Sequence, residues 1–379
     1  MKANSPGTVR LRGMDAPQGT TGSTKVRQPN LGSQSKAGAE PVTSRSCQGP
    51  CNAVDPTPNV EAETKREQLP LVSVVILYYK RRENVEQSIV SVLRQDYGRF
   101  EVILVDNHSE DDLREWIRDR AFDVRLVELP RNLGACGGRN AGLRAAKGEI
   151  VVLLDDDVSF PSTRELSQVV ETFKGHPNFD VLALCVCDPV TSELRIREWC
   201  HPRPWRESSR SEFETSWFGE GASALRRRVF DVCGLFYEPL FYGAEGCDLI
   251  LRILDHGFRI LYTPQIRVWH WAAQQGRSAH RQYYYFTRNY LWIAFKDHRF
   301  WDGLRFLVPK LLMMSYFTLR TANYGSFLRG VRDGILGLGQ ICRDRTPISK
   351  STTQYLAAMD RLRPNWMVRL ARHRAEPQL

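Results

Sequence analysis

Three consecutive carboxylates, Asp155, Asp156 and Asp157, follow residues 150–154 (IVVLL), which are apolar at every position. Such a run suits a parallel strand covered on both faces, and ligands of open α/β sheets sit outside the carboxyl ends of the strands. Adjacent acids repel one another unless a cation or hydrogen-bond donors hold them. A hard divalent ion, Mg2+ or Mn2+ bridging to substrate phosphates, is the matching chemistry. A solvated acidic turn is the plainer reading of a bare triplet, and the apolar strand in front of it shifts the balance. Asp106 ends a second apolar run (100–105, FEVILV). There it could accept hydrogen bonds from a ribose or base, or simply cap a turn. Glu245 and Asp248 stand at the entrance of a helix rich in Leu and Ile. Acids there favour the positive end of the helix dipole, or they present a general base to a pocket. His270, which ends the strand-like IRVWH, is either structural or a further ligand to a cation on Asp157.

These side chains need a frame, and strand–helix alternation from residue 71 supplies one. LVSVVIL reads as a buried strand, and Val85, Ile89, Val92 and Leu93 then recur at helical spacing. FEVILV is the second strand. Ser109 can cap the next helix, with Asp111 and Asp112 in its first turn, and residues 124–129 form a third strand. Gly134, Gly137 and Gly138 read as a glycine-rich loop that turns tightly or approaches a ligand; NAGLRAAK follows as a short helix ended by Gly148. The pattern predicts an α/β fold with a mostly parallel, doubly wound sheet flanked by helices. Residues 201–218 look irregular, suited to a lid, an acceptor surface or a variable insertion. Residues 260–262 and IRVWH read as two short strands around Pro264.

Residues 1–68, rich in Gly, Ser, Thr, Pro and Gln, read as a disordered tail. Residues 69–296 form the expected catalytic unit, and 297–379 a basic helical C-terminal extension. In that extension WDGLRFLVPKLLMMSYFTLR has an apolar body with Arg305, Lys310 and Arg320 around it. Its uninterrupted apolar stretch is far below the roughly 20 residues a span needs. It suits a helix lying in a membrane interface, or one packed on the catalytic unit. The net charge of +10 is uneven: residues 277–379 hold eighteen Lys and Arg against six Asp and Glu. A basic end can meet nucleotides or anionic lipid. No nucleic-acid-binding motif accompanies it, so no nucleic-acid partner is expected. Nine scattered cysteines without CxxC pairing read as reduced thiols, and the amino end shows no signal-peptide core. The expected location is cytoplasmic, at the inner face of a membrane.

Taken together, the strings resemble the family-2 inverting glycosyltransferases of GT-A fold over about residues 71–296. VSVVILYYKRRENVEQSIVSVLRQ is similar to that family's first strand and helix, with Leu77 and Lys80 in place of the usual proline and asparagine. VILVDNHSED resembles its second strand, and NLGACGGRNAGLRAAKGEIVVLLDDDV is the closest match; RVWH and RNYLW also occur in relatives. The resemblance implies that Asp106 meets the base or ribose and that Arg139 and Asn140 lie in a nucleotide-contacting segment. It also implies that Asp155 lies near the ribose beside Asp156, and that Asp157 holds the metal with His270 at the end of the sheet. It implies a hexosyl- or deoxyhexosyltransferase taking a UDP-, dTDP- or GDP-linked donor and a hydroxyl acceptor on a glycan, a lipid-linked molecule or a small molecule; peripheral membrane contact is expected from the basic, apolar helix of the extension instead. Relatives carry a second acid where this chain has Gly246, which leaves Glu245 as first candidate for the base and Asp248 as second. That departure keeps a non-catalytic sugar-nucleotide or glycan-binding protein as the alternative. A dinucleotide oxidoreductase fits poorly, since it wants G-x-G-x-x-G after its first strand.

Overall fold

The computed structural model describes residues 69–271 and 278–363; the tail expected at 1–68 lies outside them. The chain runs through β1 (Val72–Tyr78), α1 (Arg82–Leu93), β2 (Phe100–Asp106), α2 (Leu113–Asp119), β3 (Arg125–Glu128), α3 (Gly134–Ala145) and β4 (Ile150–Asp155). β1 lies parallel between β2 and β4, and β3 adds in parallel outside β2. All of β1 except Leu77 is buried, as a strand apolar on both faces requires.

The glycine-rich segment is helix, not loop. α3 begins at Gly134, whose φ of +72° suits glycine. Where α3 crosses the sheet, a Cβ on Gly138 would collide with Leu77, and one on Gly142 with Val75 and with Val105 Cγ2 at 2.9 Å. These two glycines therefore serve close helix–sheet packing, and the expectation of a ligand-approach loop is corrected.

The second half comprises β5 (Val158–Ser159), α4 (Glu165–Gly175), β6 (Val181–Cys187), α5 (Trp205–Ser208), β7 (Phe213–Thr215), β8 (Ala222–Arg226), α6 (Arg227–Cys233), α7 (Glu245–Asp255) and β9 (Ile260–His270). The sheet order is β3-β2-β1-β4-β8-β6-β9-β5, with β7 on β9. Parallel winding holds for the first four strands. Beyond them the sheet is mixed, with β8 antiparallel to both β4 and β6, and β9 parallel to β6. The two short strands expected around Pro264 are one strand. Its register against β6 slips between Leu184 and Cys185, so that residues 264–266 leave the ladder, which accommodates a residue with no N–H to donate.

Two of these pairings position the site. Leu154 lies opposite Ala222, which brings residues 220 and 221 beside Asp155. Val158 lies opposite His270, which brings the end of β9 beside the acidic triplet.

The helical C-terminal part is α8 (Ala279–Asp297), α9 (Phe300–Arg320), α10 (Tyr324–Leu336), α11 (Leu338–Arg343) and α12 (Lys350–Arg361). α10 meets α8 closely: a Cβ on Gly330 would strike the Tyr284 carbonyl, and Trp292 Nε1 donates to the Gly334 carbonyl at 2.9 Å. α9 runs through Pro309 without ending. Among the described residues, no helix is long and apolar enough to cross a membrane.

Candidate functional site

The acidic triplet straddles the exit from β4, and its three carboxylates have different surroundings. Asp156 points inward: it is 1% exposed, accepts the Tyr79 N–H at 3.0 Å and pairs with Arg81 at 2.9 Å. Burial pushes its carboxyl up to about 8 against the pull of Arg81, with Asp157 adding to the rise. Asp157 is fully buried, pairs with the Arg81 guanidinium, and has His270 Nε2 3.5 Å from its Oδ2. His270 is oriented from behind by Glu198, whose Oε1 lies 2.7 Å from Nδ1. Burial would lower the imidazole, but the bonds to Asp157 and Glu198 prevail and raise it to about 9.

This corner gathers buried negative charge, answered by the Arg81 guanidinium; His270 could serve a cation only as the neutral imidazole, giving up its proton as the ion binds. Among the described residues, no three His, Cys, Asp or Glu side chains form a complete metal cage. The Asp157–His270 pair fits an open site instead, because a Mg2+-like ion needs only one or two protein ligands when phosphate oxygens and water complete its shell.

Asp155 is the outward member. Its carboxylate accepts from Arg139 Nη2 at 2.6 Å, and Arg139 Nη1 reaches Glu245 Oε1 at 2.9 Å. Arg139 is 5% exposed, and its Nε–H has no acceptor among the described residues. Glu220 completes the group. Its Oε1 accepts the Gly246 N–H at 2.7 Å, while the next carbonyl, of Gly221, accepts the Asp155 N–H at 3.2 Å. Burial and then the neighbouring Glu245 push Glu220 up to about 7, with Arg139 opposing. One guanidinium thus faces Asp155, Glu245 and Glu220.

The remaining expected site residues, Asn140, Asp248 and Asp106, each have buried polar partners. Asn140, 1% exposed, clamps residues 236–238: it donates to the Phe236 carbonyl and Glu238, and accepts the Phe236 N–H at 3.0 Å. Asp248 is fully buried in the first turn of α7, bonded to Arg252 and, at 2.6 Å, to Lys296 Nζ of α8. Its charge ties two helices together. Asp106 accepts the Ser109 N–H at 2.9 Å in a turn at the end of β2. Sequence reasoning passed over Arg81, Glu198 and Glu220. Arg81 carries a signal, a cation just past the end of the first strand. Glu220 carries a weaker one, an acid between two glycines before a strand.

The description Glycosyl transferase family 2 belongs to the family model that matches residues 73–234. A UDP-Glc:alpha-D-GlcNAc-diphosphoundecaprenol beta-1,3-glucosyltransferase, WfaP of Escherichia coli, is 32% identical over 103 residues, 27% of this chain and 41% of that protein. Glycosyltransferase AglE of Haloferax volcanii is 34% identical over 112 residues, 28% of this chain and 36% of that one. The chain spans less than half the length of these curated relatives. Among solved structures, the mannosyltransferase PcManGT from Pyrobaculum calidifontis, in complex with GDP-Man and Mn2+, superposes with a TM-score of 0.48 at 20% identity, over 78% of this chain and 81% of that one.

Proposed function

We propose, from the match of residues 73–234 to the glycosyl transferase family 2 model, that this protein moves a hexose or deoxyhexose from a UDP-, dTDP- or GDP-linked donor to an acceptor hydroxyl. The transfer is a single in-line displacement that inverts the anomeric carbon. One observation carries the reading: two differently wired acidic groups meet at the mouth of β4. On one side stand Asp157 and His270; on the other, Asp155, Glu220 and Glu245 surround one buried arginine.

We assign Asp157 and His270 to a divalent cation, Mg2+ or Mn2+. Bound there, it would supply neutralisation of the charge growing on the departing diphosphate. Asp155 and Arg139 are assigned to the ribose side of the donor, and Asp106 to its base or ribose. Asn140, Asp156 and Asp248 act as positioning residues, through the contacts that hold α3, β4 and α7 in place. The acceptor hydroxyl must lose its proton as it attacks, and the carboxylates gathered at the head of α7 can take it. Peripheral contact with a membrane surface through α9 belongs to the same proposal.

The test is nucleotide release from a panel of UDP-, dTDP- and GDP-sugars with Mn2+ or Mg2+. At least one donor should be turned over, with activity lost in EDTA and in Asp157→Ala. Calorimetry should show that the metal-dependent part of donor binding is lost in the same variant. Donor binding without turnover of any sugar would make this a sugar-nucleotide-binding protein instead.

A further inference from the structure

Gly246 is the second residue of α7, and the space a side chain would need there is taken. A Cβ on Gly246 would fall well inside 3.0 Å of the Glu220 Oε1, Cδ and Cγ atoms. The Glu220 carboxylate therefore lies where a side chain at 246 would leave the helix. It is fixed there by the Gly246 N–H, 2.7 Å from Oε1, one of the first-turn donors that have no partner within their own helix. The acid comes from a different element, the segment entering β8, and the antiparallel pairing of β4 with β8 delivers it.

The neighbouring acid is less free to act. Glu245 is 6% exposed and its Oε1 is bonded to Arg139, whereas Glu220 keeps partial exposure and its Oε1 is held by a neutral amide. Arg139 opposes the acids around it, but burial, Glu245 and Asp155 prevail and push the Glu220 carboxyl up to about 7, where a base can take up a proton near neutral pH.

We propose that Glu220 is the general base of the transfer, a carboxylate brought in from the β8 side to the position that Gly246 leaves without an acid. This rests on the glycosyl-transfer reading above. In the step, the acceptor oxygen bonds to the anomeric carbon as the bond from that carbon to the phosphate oxygen breaks. The electron pair of the broken bond leaves on the diphosphate, and the acceptor proton passes to Glu220. Glu245 then acts as a positioning residue that holds Arg139.

The experiment compares wild type, Glu220→Gln, Glu220→Gly and the double variant E220G/G246E on whichever sugar nucleotide the wild type turns over, with water or a hydroxyl acceptor. Glu220→Gln should lower kcat by about 10²–10⁴ while the donor Kd, read by calorimetry, stays within about threefold of wild type, well below the tenfold that 1.4 kcal/mol would produce. Sodium azide, an anion with no proton to remove, should restore donor consumption in Glu220→Gln and yield the glycosyl azide. The double variant should recover at least about tenfold in rate over Glu220→Gly, the equivalent of one decade of barrier. Near-wild-type kcat in Glu220→Gln would overturn the assignment. So would a loss of donor binding with no response to azide and no recovery in the double variant, since that pattern marks a structural role. A wild type that turns over no sugar nucleotide would instead bring down the glycosyl-transfer reading on which the assignment rests.

Discussion

Arg139 is the residue on which the acidic side of the site turns. Its terminal nitrogens hold Asp155 and Glu245, and it lies almost wholly out of solvent. A buried charge network is poor evidence of net stability, but removing one partner leaves the others uncompensated, at a cost of about 3–5 kcal/mol. Arg139→Ala should therefore lower the unfolding free energy read from urea titration by that order, with a weaker donor complex. Arg139→Lys should rescue little, because an ammonium lacks the planar fork that addresses two carboxylates at once. A loss below about 1 kcal/mol in Arg139→Ala would mean that the acids are neutral or solvated in the fold. His201 makes a separate prediction. It sits among Trp199, Phe213, Trp217 and Tyr262, with Nδ1 2.9 Å from Thr215 Oγ1. Burial, helped by Arg363, pushes it down to about 3 from the ordinary 6.5. The unfolded chain takes up this proton first, so stability is intact above pH 6.5 and falls as pH drops from 6.5 toward 3, by up to about 1.4 kcal/mol per pH unit. His201→Gln should flatten that slope in acid unfolding curves; an unchanged slope would place the acid sensitivity elsewhere.

At the scale of elements, α3 shows how tightly a helix must sit for the site to form, since Arg139 is carried on it. Gly142→Ala would gain about 1 kcal/mol in helix propensity yet force a methyl onto Val75 and Val105. Overpacking costs about 1–3 kcal/mol, so a net fall in Tm is expected. Gly175→Ala, at the end of α4 with nothing within 4 Å of the added methyl, should be neutral or mildly stabilising. Equal effects in the two variants would mean that the helix–sheet contact yields to an added methyl. The same element marks the limit of what the sequence reveals. Strands β1, β2 and β4 can be read because two-sided burial leaves an unbroken apolar run, and Asp155, Asp156 and Asp157 can be read because they directly follow one. The start of α3 cannot, since glycine signals a close approach without saying whether the neighbour is a ligand or a strand. Nor can the place of Glu220, which depends on β8 returning antiparallel beside β4. That register is fixed by contacts distant in sequence, and no local periodicity encodes it.

Across the whole molecule, the helical C-terminal part buries one face of α9 and leaves the other bare. Gly303, Leu307, Met314 and Thr318 are buried, while Trp301, Val308, Leu312 and Leu319 are exposed, Trp301 by 71% and Leu312 by 67%. Their spacing of seven, four and seven residues puts the exposed four on one stripe of the helix. Arg305 and Arg320 are exposed on the same helix, and Leu336 of α10 is exposed as well. Apolar anchors beside cations match the surface of an anionic bilayer, where the apolar face inserts and each basic residue adds about 1 kcal/mol near the headgroups. The full chain should therefore co-sediment with phosphatidylglycerol-containing vesicles at low salt and less so with purely zwitterionic ones. Trp301→Ser combined with Leu312→Glu should abolish pelleting while nucleotide release from a soluble donor and acceptor is unchanged, because neither residue contacts the sheet mouth. Retention of the wild type in the supernatant with anionic vesicles would reject the membrane and leave this stripe to a protein partner; equal pelleting of the double variant would locate the lipid contact elsewhere on the basic C-terminal region.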